Sequence, residues 1–210
     1  MKCTIKIAKV DQEFTNSKIR AYASLVFDEC FCVSDVRIIE GGKGLFISMP
    51  SYKTKSVDVH NNPVYQEYCY PITKAAREQL YKAILQAYET GNEIGMGTLS
   101  EMPYEIQMYK SHSNGIEAYG SIVLGKCFVI SGIKVRTGKS GSFVCMPSKL
   151  RGSKYQDICY PITKELREKL YGDIIALSKC AEEYQKEAAM FSNIPYIIVA
   201  ISIALMIIAI

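Results

Sequence analysis

The chain has 210 residues, with 25 Lys and Arg against 21 Asp and Glu, a formal charge of +4 and an apolar fraction of 49%. That length suits two small domains better than one, and the mild positive charge is compatible with nucleic acid or an anionic membrane surface while demanding neither. Eight cysteines include no C-x-x-C pair, and "MKCTIKIAKV" is too charged and too alternating for a secretory h-region, so reduced thiols in a cytosol are expected.

Residues 4–10, "TIKIAKV", alternate apolar and polar as a half-buried strand does. Residues 19–27 and 30–39 are two more strand patterns separated by "DE", a link short enough for an antiparallel hairpin. "GGKG" at 41–44 turns the chain into "LFISMP". After "CYPITK" at 69–74 the apolar period changes from 2 to 3.6, and Leu80, Tyr81, Ile84, Leu85 and Tyr88 form one helical stripe. A glycine-rich linker follows at 90–103. Then "YEIQMY", "IEAYGSIVL", "KCFVISGIKV", "GKSG" and "SFVCMP" repeat the strand scheme. "CYPITK" returns at 159–164, and Leu166, Leu170, Ile174, Leu177, Ala181 and Tyr184 form a second stripe. Pro71 and Pro161 hold each entry segment extended, Ile72 and Ile162 are expected to pack inward, and Thr73 and Thr163 are N-cap candidates.

The repetition is a duplication. Upstream of the motif the halves align at an offset of 97: Ala21-Tyr22 on Ala118-Tyr119, Cys30-Phe31 on Cys127-Phe128, Met49-Pro50-Ser51 on Met146-Pro147-Ser148. From "CYPITK" onward the offset is 90, so the first copy carries seven extra residues between Ser51 and Tyr65, where a surface loop accepts them. The expected fold is α+β: two tandem units, each an antiparallel sheet of about four strands followed by a helix, at 1–89 and 104–187, forming an intrachain pseudo-dimer. Pairing between strand edges of the two units would hide edges that otherwise invite aggregation. Cys30, Cys69, Cys127 and Cys159 occupy equivalent places and are expected to serve as small core hydrophobes. His60 and His112 have no cysteines at zinc-ligand spacing, which leaves little for a metal site.

"AYASLVFDECFCVSDVRIIEGGKGLFISMPS" followed by "YPITKAAREQL" resembles the SpoVG family (stage V sporulation protein G). The second copy, from "AYGSIVLGKCFVISGIKV" through "CYPITKELREKL", resembles it equally. The resemblance covers most of 1–187 and implies sheet-plus-helix units that pair, a nucleic-acid-binding regulatory role linked to septation during sporulation, and no catalysis. It places basic residues directly after Met-Pro-Ser. These are Lys149 and Arg151, with Lys154 nearby, in the second copy. In the first, Tyr52 replaces the leading basic residue and leaves Lys53 and Lys55. The helix starts add Lys74, Arg77, Lys164 and Arg167. Residues 134–169 hold nine basic and three acidic side chains, a balance of +6, against six and four, +2, for 37–79, so the second unit is the better partner for phosphate. Tyr52, Tyr65 and Tyr155 are candidates for stacking on bases, or for packing at strand edges.

Enzyme signatures are missing: there is no G-x-S-x-G, no P-loop and no H-E-x-x-H, and "GGKG" and "GKSG" read as turns. No cofactor is called for. The last charge is Glu187, and 188–210 is an uncharged tail ending in "PYIIVAISIALMIIAI". Its length suits a membrane helix, so a tail anchor through Pro195, Tyr196, Ile197 and onward to Ile210 is expected, with Lys179 and Lys186 on the cytoplasmic side of a bacterial membrane. A buried core or oligomer helix is the other use for such a run. Two functions follow: a tethered nucleic-acid-binding regulator, or a membrane-anchored protein-interaction module at the division septum. The sequence leaves room for a higher homo-oligomer.

Overall fold

The computed structural model describes residues 1–12, 17–91, 93–96, 103–111, 113 and 115–191, the side chains of 96 and 182–191 excepted. The first repeat opens with β1 (Cys3–Lys9), β2 (Ile19–Phe27), β3 (Phe31–Gly41) and β4 (Gly44–Ser48), each antiparallel to the next. A separate hairpin of β5 (Ser51–Val57) and β6 (Pro63–Glu67) follows, then the short β7 (Cys69–Pro71) and α1 (Lys74–Thr90). In the linker, β8 (Ile94–Met96) pairs with β1 and becomes the edge of the first sheet. The second repeat has β9 (Tyr104–Lys110), β10 (Ala118–Leu124), β11 (Phe128–Gly138) and β12 (Gly141–Cys145). After these come the hairpin β13 (Ser148–Arg151) and β14 (Lys154–Asp157), then β15 (Cys159–Pro161) and α2 (Lys164–Phe191).

Local chemistry accounts for these joints. Asp28 and Glu29, and Gly125 and Lys126, all have left-handed φ between 45° and 58°. Two consecutive residues of that kind make the tight turn whose twist matches the strands it joins. Gly44 and Gly141, at φ 105° and 112°, occupy backbone that side chains rarely tolerate, which is why glycine recurs in both turns. The extra residues of the first copy lengthen its hairpin, and the Asp58 carboxylate accepts from the backbone N–H of His60 and Asn62 to close the tip.

The repeated "CYP" is a reciprocal strand exchange. β7, from the first repeat, pairs with β11 of the second, Cys69 opposite Ile130 and Pro71 opposite Phe128. β15, from the second, pairs with β3 of the first, Cys159 opposite Val33 and Pro161 opposite Phe31. The first sheet therefore runs β15-β3-β2-β1-β8 with β4 also on β3, and the second runs β12-β11-β10-β9 with β7 on β11. Each exchange is extended by one bond at either end. Ser34 N–H donates to Ile158 O and Ser131 N–H to Tyr68 O, while Ile72 N–H donates to Cys127 O and Ile162 N–H to Cys30 O. The chain then returns to its own sheet as a helix. Thr73 Oγ1 accepts from Ala76 N–H at 3.1 Å and Thr163 Oγ1 from Leu166 N–H at 3.3 Å, so both threonines cap as their position predicts. The inward packing expected of Ile72 and Ile162 does not occur. Both are nearly half exposed, because Cys69 and Pro71, and Cys159 and Pro161, take the inward places of the exchanged strands.

One continuous core results. Leu80, Ala83, Ile84 and Ala87 of α1 and Leu170 and Ile174 of α2 join the inner faces of both sheets in it. Across the seam the rings of Phe27 and Phe128 lie 5.0 Å apart. Cys69 and Cys159 are fully buried there and meet each other; burial first, then the contact with Cys69, pushes the Cys159 thiol well above its ordinary value. Cys30 and Cys127 are instead half-buried beside the turns, donating from Sγ to Phe27 O and Leu124 O.

The expected transmembrane helix is not part of this fold. Among the described residues no helix is long and apolar enough to cross a membrane. α2, the element leading toward the proposed anchor, runs to Phe191 and carries Asp173, Lys179, Glu182, Glu183, Lys186 and Glu187. Charges at that density cost about 2.5–3.5 kcal/mol each at the centre of a membrane helix. The anchor residues Pro195, Tyr196, Ile197 and Ile210 lie outside the described residues. The membrane partner and the membrane-face location rested on that tail, which lies outside the described residues.

Candidate functional site

The residues after Met-Pro-Ser lie on the two hairpins, which form two-stranded sheets of their own. In β5–β6, Lys53 stands opposite Tyr65; in β13–β14, Leu150 stands opposite Tyr155 and Arg151 opposite Lys154. Tyr65 and Tyr155 are equivalent in the duplication, and both are largely exposed, at 63% and 75%. Lys53, Lys55 and Lys154 are exposed and form no ion pair among the described residues. Each hairpin thus presents an exposed tyrosine and at least one lysine unpaired among the described residues, Lys53 opposite Tyr65 in the first and Lys154 preceding Tyr155 in the second.

The other predicted cations are engaged. Lys149 Nζ lies 3.2 Å from Asp35 Oδ2, and the Arg151 guanidinium 3.0 Å from Asp35 Oδ1. Arg37 reaches Asp35 Oδ2 at 3.0 Å. Asp35 is buried, so this carboxylate of the first repeat gathers three cations, two of them from the second repeat's hairpin. The cluster keeps a net charge of +2, and the Lys149 and Arg151 side chains remain about half exposed. Arg77 and Arg167 fasten the hinge: their guanidinium groups donate to Pro71 O at 3.4 Å and Pro161 O at 3.0 Å, and Arg77 also reaches Tyr81 Oη at 2.9 Å. They face Glu67 and Asp157, whose carboxyl groups are pushed up by burial and pulled back by the arginine. Lys74 and Lys164 make loose, exposed pairs with Glu78 and Glu168, each 3.8 Å and one helical turn away. Such pairs contribute little and leave both lysines available to solvent.

Three side chains of this surface escape the sequence pattern. Asp35 sits at a β-bulge with φ 62°, between Ala23 opposite Val36 and Leu25 opposite Val33. Its counterpart is Gly132, bulged in the same way with φ 80°. The alignment of an aspartate with a glycine was the available signal, since both tolerate left-handed backbone. Lys134, the counterpart of Arg37, and Arg136 are exposed beside Gly132. With Tyr68, Tyr155, Cys145 and Met146 they line an open cleft of about 560 Å³. There Tyr52 takes the place Lys149 holds in the other half, its ring 4.8 Å from that of Tyr68. The two halves have therefore diverged, one into an acid-centred cation cluster and the other into a tyrosine-walled basic cleft.

These features define a tandem α+β protein whose halves are locked by strand exchange and carry a cationic, tyrosine-bearing hairpin each. The chain belongs to the SpoVG family: the family model matches residues 1–90 and again 103–179. Among curated relatives it is similar to the septation protein SpoVG of Phytoplasma australiense, 40% identical over 90 residues covering 42% of this chain and 84% of the relative. It is likewise similar to that of Treponema denticola, 38% over 81 residues covering 39% and 81%, and that of Agathobacter rectalis, 41% over 86 residues covering 41% and 88%. Each match is about one repeat long, as expected where one chain holds two copies.

Proposed function

We propose that this chain is a nucleic-acid-binding regulator acting in septation, and that its two hairpins make the contact. The observation carrying this reading is the equivalent pair of exposed tyrosines, Tyr65 and Tyr155, on two hairpins that also carry Lys53, Lys55 and Lys154, which no carboxylate among the described residues neutralises. Lysines displace the counterions condensed on phosphate, and an open ring accepts any base on its face, so the combination suits single strands without strong sequence preference. The +2 remaining at Asp35 and the exposed Lys74 and Lys164 add to the same field. The link to septation rests on the names of the relatives. Filter binding with random DNA and RNA at about 50 and about 200 mM salt tests the reading. Retention should fall with salt and weaken severalfold when Lys53, Lys55 and Lys154 become Ala. No retention at the lower salt refutes it.

A further inference from the structure

The Asp35 cluster has the composition of a phosphate site already occupied. Three cationic side chains, Arg37, Lys149 and Arg151, converge on two carboxylate oxygens at 3.0–3.2 Å. That is the number and spacing of donors with which proteins grip an oxyanion. The carboxylate itself is held in place by the fold. Its side chain is only 4% exposed, and its backbone is fixed in the left-handed region by the bulge that lets Ser34 bond to the exchanged strand. The equivalent bulge in the other half serves Ser131 in the same way with a glycine, so the exchange does not require an acid there. Structure alone therefore does not account for the aspartate.

We infer that Asp35 is an internal competitor for phosphate. Its carboxylate occupies the cation cluster of one half and holds Lys149 and Arg151 back from an external polyanion. The Gly132 cleft of the other half, with Lys134 and Arg136 and no carboxylate in the equivalent place, stays open. The inference deepens the nucleic-acid reading and rests on it for the identity of the natural polyanion, but the site itself is defined by its chemistry toward phosphate oxygens. A strand meeting this protein engages the Gly132 side first, and affinity is set below what the full cation count would give. Removing the acid raises the local charge from +2 to +3 and returns two half-exposed cations to the ligand.

The test uses the full chain, with Asp35→Gly, the residue its counterpart already carries at this φ, and Asp35→Asn, which keeps the shape and removes the charge. Two probes are applied: inorganic tripolyphosphate, read by the rise in melting temperature, and a labelled random single strand, read by its dissociation constant against salt. Both variants should gain a larger tripolyphosphate-induced rise than the parent. They should also bind the strand roughly tenfold more tightly, as one more charged hydrogen bond allows, with a salt slope steeper by about 0.7. A larger tripolyphosphate response without strand binding in any form keeps the inference and rejects the nucleic-acid reading. Folded variants whose response to tripolyphosphate is unchanged or weaker overturn it, because Asp35 then positions the cations instead of competing for them. Should Asp35→Gly fail to fold, Asp35→Asn decides by the same criterion.

Discussion

Leu170→Ala tests whether the exchanged strands make the two repeats one cooperative body. Leu170 is fully buried on α2, among residues that touch the second sheet, far in sequence from anything in the first repeat. Truncating a buried leucine costs about 2–5 kcal/mol, the transfer of the lost carbons plus the cavity they leave. With a urea dependence of about 2–3 kcal/mol per molar, a loss of about 3 kcal/mol moves the midpoint down by about 1–1.5 M. If β7 and β15 join the sheets into one core, the first repeat must feel that loss in full. Pulsed thiol labelling read by mass spectrometry supplies a probe in each sheet: Cys3 in β1, buried with its thiol pushed up to about 12 by burial first and by Asp28 next, and Cys69, fully buried in β7 on the second sheet. Both should become reactive at one midpoint, lowered equally by the substitution. A Cys3 midpoint that stays put while that of Cys69 falls refutes the coupling, and with it the claim that strand exchange builds a single core.

Other outcomes follow from single sites. Gly120→Ala would place a Cβ 2.0 Å from Gln107 O, a backbone atom that cannot swing away, so β9 must shift from β10; a loss of about 1–3 kcal/mol is expected in urea unfolding. Glu117 accepts hydroxyl donors from Thr137 and Ser142, and these bonds hold its carboxyl below the ordinary 4.5. A depressed folded value means the stabilisation is present above the unfolded value and is lost as pH falls through the folded one. Glu117→Gln should therefore lower the melting temperature at about pH 7, and the difference from the parent should shrink as the pH falls through the folded value and vanish below it. Cys180 is exposed, while Cys3, Cys32, Cys69 and Cys159 are buried. A thiol reagent on the native protein should therefore show one fast phase, which Cys180→Ser abolishes, and labelling of the four buried thiols only on unfolding.

Much of this fold was legible in the residues because it rests on local chemistry. Period-2 runs became β1–β4 and β9–β12, the stripes from Leu80 and Leu166 became α1 and α2, and Thr73 and Thr163 capped where a hydroxyl before an apolar helix should. The duplication also fixed which positions would be equivalent, and the family resemblance singled out Lys53, Lys55 and Lys154 after Met-Pro-Ser. The transmembrane helix was misjudged from the apolar tail; among the described residues the helices stay too charged to span a membrane. Partner choice lay beyond reach, because it depends on distance in space. Nothing in "CYPITK" says that its strand joins the other repeat's sheet, since an exchanged edge and a home edge bury the same Cys and Pro by the same alternation. Nor does a run such as "VSDVR" reveal that Asp35 will meet Lys149 and Arg151 more than a hundred residues away. Sequence determined the modules, their number and their joints. Tertiary structure decided which edges they share and which of their charges are already spent, because backbone pairing and ion pairing are set by proximity that only the folded chain creates.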